Sequence, residues 1–355
     1  MKFIHCADLH LNSYMESLPL EVSYKRREEV LRTFEKMCEY AVINNVTAVI
    51  IAGDFFDKNT VSKQLLQRVK NAITKASYVD FLYLLGNHDS EVFNRLEDFP
   101  KNLKFFTKDW TYFKYSNVVI CGIDGSQSKE DLYVDSLNLN KENFNVVVLH
   151  GRVAGYNSKD DAEVISIPKY KNKNINYIAL GHYHTYSNEK LDDRGFFGYS
   201  GCLDGRGFDE LGEKGFVLID YEDTANFTFV PFSSRVFVEH KFDLSKFNNF
   251  IDAKEEIYNQ LITKYNKTSL IKLVLVGEVA NDFNMDIKSL THLLNEYFFY
   301  AKVLDKTILK ISALDFQYDK SVVGEFVRAV LGAELNEEDK SKIIATGLNF
   351  LRGEK

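Results

Sequence analysis

Val46-Thr47-Ala48-Val49-Ile50-Ile51-Ala52-Gly53-Asp54-Phe55-Phe56-Asp57 is an apolar, β-rich run that stops at a glycine and then delivers two acids. A run of this length without polar alternation reads as a strand buried on both faces, the pattern of a parallel sheet. The glycine suits a tight exit in which the backbone comes close to a ligand. Working outward, similar runs occur at 3–6, 79–85, 118–123, 146–149 and 175–180. Between the first three lie stretches with helical spacing: Val30, Leu31, Phe34, Met37, Cys38, Ala41 and Val42, then Leu65, Leu66, Val69 and Ile73. Strand and helix alternate, which predicts an α/β fold.

After Gly181 the texture changes to Gly- and aromatic-rich segments at 195–199, 215–221, 227–232 and 236–242, which predict antiparallel strands able to complete a second sheet. From about residue 243 a helical stretch (253–265), an apolar strand (270–276) and an amphipathic stretch (287–299) predict a small α+β domain. The tail from Ser321 carries Val322, Val323, Phe326, Val327, Val330 and Leu331 at helical spacing, a capped restart at 335–339 and a last stripe of Ile343, Ile344, Leu348 and Leu351. Packing of these helices on their own domain is favoured over docking to a partner. The expected divisions are 1–242, 243–320 and 321–355.

Composition narrows the class. The 355 residues include 45% apolar and 27% charged side chains with 4 prolines, so disorder is excluded as the main state. No apolar run reaches the ~18–20 residues of a membrane helix, and the opening segment turns polar too early for a secretory signal; a cytoplasmic protein without membrane contact is expected. Cys6, Cys38, Cys121 and Cys202 are widely spaced and read as reduced thiols, not a disulfide framework or a thiolate metal site. The formal charge of −7 opposes a globally basic nucleic-acid surface but leaves a local one open.

The informative feature is where His and Asp fall. Asp8 and His10 follow the first strand, Asp54 and Asp57 the second, and Asn87, His88 and Asp89 the third; His150 closes the run at 146–149, and His182 and His184 close the run at 175–180. In open α/β sheets the carboxyl ends of strands are where ligands bind. Residues two apart on an extended chain point to one side, so Asp8 with His10, and His182 with His184, can each present a paired grip. Any one of these motifs alone is a common capped turn. Together they place five of the chain's 8 histidines at strand ends, which repeated accident does not explain. Nitrogen and oxygen donors without sulfur suit Mn, Fe or Zn. Seven candidate ligands are too many for one ion, whereas two ions bridged by a shared carboxylate fit, and such a pair clamps the attacking and leaving oxygens of a phosphoryl displacement. The surplus positive charge favours an anionic phosphoester.

In this order Asp-x-His, Gly-Asp-x-x-Asp, Gly-Asn-His-Asp, His-Gly and Gly-His-x-His resemble the calcineurin-like metallophosphoesterases. Phe3-Ile4-His5-Cys6-Ala7-Asp8-Leu9-His10-Leu11, the Phe55-Phe56-Asp57 continuation and the segment from Tyr199-Ser200-Gly201 to Gly212-Glu213-Lys214-Gly215 look more narrowly like the SbcD nuclease group and its YhaO-like branch. The motifs cover about residues 1–220. The resemblance implies a four-layer α/β/β/α sandwich with a small C-terminal capping domain, and two divalent ions, Mn2+ first and Fe or Zn next. It implies that Asp8, His10 and His184 hold one ion, that Asn87, His150 and His182 hold the other, and that Asp54 bridges them. His88 would serve the leaving oxygen, with Asp57 as the carboxylate that orients it; a turn or cap role for Asp57 stays open, as does a cap role for Asp89 and a core role for His5. It further implies a DNA exo- or endonuclease acting in DNA repair through a two-metal-activated hydroxide, a coiled-coil SMC-like (SbcC-like) ATPase partner docked on the terminal helices, and a homodimer through helices near 61–77 and 91–98. Segment 200–215 holds Arg206 and Lys214 among several acids, and Arg206 is a candidate to grip DNA. Strand-end motifs specify phosphoester cleavage and not polymer choice, so a nucleotide or small diester substrate, or a regulatory subunit that binds DNA ends or the ATPase, are the alternatives.

Overall fold

The computed structural model describes residues 1–57, 61–85, 99–124, 130–155, 164–280, 283–310, 316 and 318–351. The chain divides into two compact units, Met1–Val236 and Phe237–Lys355.

The first unit begins with β1 (Lys2–Cys6), α1 (Leu20–Ile43), β2 (Val46–Ala52), α2 (Lys63–Lys75), β3 (Asp80–Leu84) and β4 (Leu103–Phe105). These four strands pair in parallel in the order β1-β2-β3-β4. It continues through β5 (Thr111–Tyr115), β6 (Val118–Gly122), a short helix α3 (Glu130–Ser136), β7 (Phe144–His150), and the two-residue strands β8 (Arg152–Val153) and β9 (Val164–Ile165). Next come β10 (Tyr177–Gly181), β11 (Glu189–Lys190), β12 (Phe196–Tyr199), β13 (Gly215–Tyr221) and β14 (Ala225–Pro231). A second sheet has the order β11-β12-β10-β7-β6-β5, parallel at its centre and antiparallel at both edges.

Alternation along β2 explains the layering. Ala48, Ile50 and Ala52 join Phe3, Leu82 and Leu84 against Val146, Val148 and Ala179 of the second sheet, in one core between the sheets. Val49 and Ile51 project to the other face, and α1, which packs on β2, buries Val30, Phe34, Met37 and Ala41. On the far side, Val147, Leu149, Ile178 and Leu180 form a further core with Val134 of α3. The result is the expected α/β sandwich.

The late segments differ from expectation in partner. β13 and β14 do pair antiparallel, but they extend the first sheet through β1, while β12 runs parallel to β10. Phe237–Asp243 pairs in parallel with Leu270–Val276, which pairs in parallel with Tyr300–Asp305. With Phe250–Lys264 and Ile287–Tyr297 between them, the second unit is a strand–helix–strand–helix–strand array. That alternation becomes visible only when 237–243 is grouped with the strands at 270–276 and 300–305. Val322–Leu331 and Glu337–Leu351 pack on each other through Val327, Ile344 and Leu348, with Leu309 and Phe316 against them. Among the described residues no helix is long and apolar enough to cross a membrane.

Candidate metal centre

The carboxyl ends of β1, β2, β7 and β10 meet at one rim. The segments after β1 and β2 are zipped together by Asp8 N–H to Gly53 O (3.1 Å), His10 N–H to Asp54 O (3.0 Å) and Leu11 N–H to Phe55 O (2.9 Å). The two sheets are tied across the rim because the His182 N–H donates to both carboxylate oxygens of Asp8, at 3.0 and 2.9 Å. Asp8, His10, Asp54 and His182 all have positive φ, at 52°, 42°, 51° and 106°. For non-glycine residues this left-handed backbone is costly and persists only where surrounding bonds over-determine it, a pattern that clusters at functional sites. Gly181 and Gly53 make the close approach possible: a Cβ on Gly181 would stand 1.7 Å from Ala52 O, and one on Gly53 would stand 2.0 Å from His150 Nδ1.

Two groups of donors converge there. Asp8, His10 and His184 each bring one ligand atom within 4.8 Å of the others, and so do Asp54, His150 and His182. The groups meet at Asp54, whose Oδ2 lies 3.7 Å from His10 Nε2 and 3.5 Å from His150 Nε2. His150 Nδ1 donates to Ala52 O (2.8 Å) and His184 Nδ1 to Glu210 Oε1 (2.8 Å), so in the neutral imidazoles the Nε2 lone pairs point inward. His10 Nε2 and His184 Nε2 are 3.2 Å apart. Two nitrogens that share a cation at ~2.0–2.1 Å stand about 2.8–3.4 Å apart, from octahedral to tetrahedral geometry, so this pair fits a divalent ion.

The titration of these groups shows how tightly the charges are opposed. Burial raises Asp8 to about 6, with His184 and His150 pulling the other way. Burial, helped by Arg206, lowers His10 to about 4. Burial also disfavours the His150 imidazolium, but Asp54 and Asp8 outweigh it and lift the group to about 9.

Residues 1–186 match the calcineurin-like phosphoesterase family. This chain belongs to that family. Among relatives, it is 26% identical over 307 residues to the DNA double-strand break repair protein Mre11 of Sulfurisphaera tokodaii, a match covering 78% of this chain and 74% of that one. It is 26% identical over 284 residues to the Mre11 of Methanosarcina acetivorans (75% of this chain, 43% of that one). It is 24% identical over 234 residues to the uncharacterized metallophosphoesterase YhaO of Bacillus subtilis (62% and 57%). The chain thus spans less than two thirds of the length of the latter two relatives. A solved structure of a dimetal phosphatase from Danio rerio resembles 63% of this chain and 93% of its own at 11% identity, with a TM-score of 0.41.

Six of the seven ligands that the metallophosphoesterase motifs nominate, Asp8, His10, Asp54, His150, His182 and His184, are thus brought to one place. Asn87, His88 and Asp89 lie outside the described residues. Asp57 Oδ1 lies 3.4 Å from His10 Nδ1 and accepts from Arg206 Nη1 at 3.2 Å. His5 is a core residue, bonded to the Tyr177 hydroxyl (3.0 Å) and Leu180 O (3.1 Å). All four cysteines are free and buried.

Arg206 is turned inward, toward Glu210 and Asp57. Its guanidinium donates to Glu210 Oε1 (2.7 Å) and Asp57, its main-chain N–H donates to Glu210 Oε2 (2.7 Å), and the side chain is only 16% exposed. Glu210 is the functional residue that sequence reasoning missed. Burial opposes its charge, but His184 and Arg206 outweigh burial and hold the carboxyl well below the usual range. Asp57, Arg206 and Glu210 therefore link the imidazoles of His10 and His184 from behind, and such outer partners orient a ligating imidazole and raise its basicity. The supporting turn is itself anchored by Arg26, buried in α1, which donates to Asp204 Oδ1 (2.6 Å) and Gly205 O (2.8 Å).

Proposed function

We propose that this metallophosphoesterase is a phosphodiesterase that cuts DNA with two divalent ions, Mn2+ first among them. The observation that carries the reading is Asp54 Oδ2, which faces one imidazole of each donor group at 3.7 and 3.5 Å. Asp8, His10 and His184 would hold one ion, His150 and His182 with Asn87 the other, and Asp54 both. When bound, two such ions neutralise a phosphodiester and make a potent nucleophile available at neutral pH. The chain's own residues do the rest. Ala52 O and Glu210 set the tautomers of His150 and His184, Asp57 faces Nδ1 of His10, and the zipped strand ends exclude the motion that would spread the donors. His88 is proposed as the proton donor to the leaving oxygen, with Asp57 orienting it.

DNA as substrate is supported by the names of the Mre11 relatives and by the SbcD-like motifs around 3–11 and 199–215. The same resemblance supports docking of a coiled-coil ATPase on the terminal helices, where Phe350 is 82% exposed, and a homodimer that uses α2; the second expected dimer segment, 91–98, lies outside the described residues. The deciding experiment is Mn2+-dependent cleavage of linear duplex and single-stranded DNA alongside bis-p-nitrophenyl phosphate, with Asp54→Asn as the comparison. The proposal expects both activities in the parent protein and a loss of at least ~100-fold in each with Asp54→Asn. Diester hydrolysis without DNA cleavage would assign the centre to a small phosphoester instead.

A further inference from the structure

We infer that Tyr14 is a stacking platform for a nucleobase of the substrate; the inference rests on the nuclease reading above. The chain has 20 Tyr and 28 Phe, and most large aromatics are spent on cores. Tyr14 is 55% exposed, and it is exposed on a fixed mount. Its carbonyl accepts from Ser23 Oγ of α1 (2.7 Å), the following Met15 is held at φ 44° with its carbonyl bonded to Leu18 N–H (3.0 Å), and Ser13 N–H donates to His10 O (3.1 Å). The segment is therefore tied to α1 on one side and to a candidate ligand on the other.

The ring is also oriented. The Arg27 guanidinium sits 5.1 Å from the Tyr14 ring centroid and 5.8 Å from that of Tyr24, and it donates to Asn12 Oδ1. A cation on an aromatic face holds the ring in place without covering the rest of the side chain. A rigid, half-exposed aromatic of this kind loses little entropy when a second flat ring stacks on it.

Tyr14 lines a cavity of about 370 Å³ together with Ser13, Glu16, Asp57, Arg206 and Asp209. Asp57 lies against His10, so the cavity adjoins the donor cluster. Its charge selects what enters. The Arg206 guanidinium is engaged by Glu210 and Asp57, leaving Glu16 and Asp209 as further acids on the walls, which repel a phosphate. A base meets the opposite situation: its flat face finds Tyr14, and its amino and ring N–H donors find carboxylate acceptors. The volume lies within the usual range for small-ligand pockets.

The test compares a short single-stranded oligodeoxyadenylate with an oligonucleotide of equal length built from abasic tetrahydrofuran residues, on the full chain loaded with Mn2+. Tyr14→Ala should raise KM for the adenylate about tenfold with kcat retained, leave KM for the abasic strand unchanged, and be rescued by Tyr14→Phe. An unchanged KM on the adenylate, or an equal loss on both strands, overturns the platform while leaving the nuclease reading intact. A parent protein that hydrolyses bis-p-nitrophenyl phosphate but cuts neither strand overturns the nuclease reading and the platform with it.

Discussion

The Nε2 atoms of His10 and His184 stand 3.2 Å apart, and behind each ring is a carboxylate, Asp57 for one and Glu210 for the other, joined by the guanidinium of Arg206. His150, by contrast, is held by a main-chain carbonyl, Ala52 O. The two donor groups therefore depend on different supports. Glu210→Gln keeps the size and removes the charge that orients His184. Calorimetric titration with Mn2+ should show one of two binding events weakened by about 10–100-fold and the other unchanged. Equal weakening of both, or of neither, would contradict this division.

Gly181 sits at the rim, where its backbone comes close to that of Ala52 in the other sheet. A methyl group there would stand 1.7 Å from Ala52 O, a backbone atom, and 2.8 Å from His150 Nδ1, so the bond that sets the His150 tautomer has to move. Gly181→Ala is expected to cost ~1–3 kcal/mol by overpacking and to lower diester hydrolysis about 10–100-fold. Gly332→Ala is the control. It meets nothing closer than 3.4 Å and should stay within ~0.5 kcal/mol of the parent. Comparable losses in the two variants would remove the steric argument.

Much of this centre was legible because strand ends announce themselves: a buried apolar run must stop, and Gly53-Asp54, His150-Gly151 and Gly181-His182 mark where it does. Glu210 was not legible. It reaches His184 through an irregular turn, and no period relates residues 184, 206 and 210. The left-handed backbone of Asp8, His10 and Asp54 was hidden for a similar reason, since it lies where two loops from different strands zip together, and that of His182 lies where its N–H meets the Asp8 carboxylate across the rim. The destinations of β13 and of the strand at 237–243 depend on which neighbour offers a free edge, and aromatic-rich strands read alike in either sheet. The partners of Arg206 were not legible either: a base in an acidic segment can face outward, and only the fold shows it turned inward to Glu210 and Asp57.

Arg26 and Asp204 form an ion pair in which neither side chain has any exposure, at 2.6 Å. Asp204 also accepts from Thr33 Oγ1 (2.8 Å) and Ser234 N–H (2.9 Å), so three kinds of donor surround it. Arg26→Met leaves that carboxylate buried without its counter-charge and should cost ~3–5 kcal/mol. Trp110, the single tryptophan, lies in the first unit, and its fluorescence in urea reports that unit's unfolding. Adding Asp204→Asn to Arg26→Met should recover part of the loss. If Arg26→Met unfolds at the parent's urea concentration, the pair carries no stability.

His5 supplies a pH test that is independent of metal. Burial lowers its pKa from the ordinary 6.5 to about 3, against a smaller opposing effect of its bond to Leu180 O. Between pH 6.5 and about 3 the unfolded chain binds a proton that the fold excludes, so the contribution of neutral His5 is complete above pH 6.5 and is lost as pH falls through this window. The slope for one such group is ~1.4 kcal/mol per pH unit. Carboxylates add their own acid sensitivity to parent and variant alike, so the informative quantity is the difference. His5→Gln can still donate to Leu180 O and does not titrate. Its urea midpoint, monitored by Trp110 fluorescence from pH 7 to pH 5, should fall less steeply than the parent's, and parallel slopes would show that His5 is protonated in the fold.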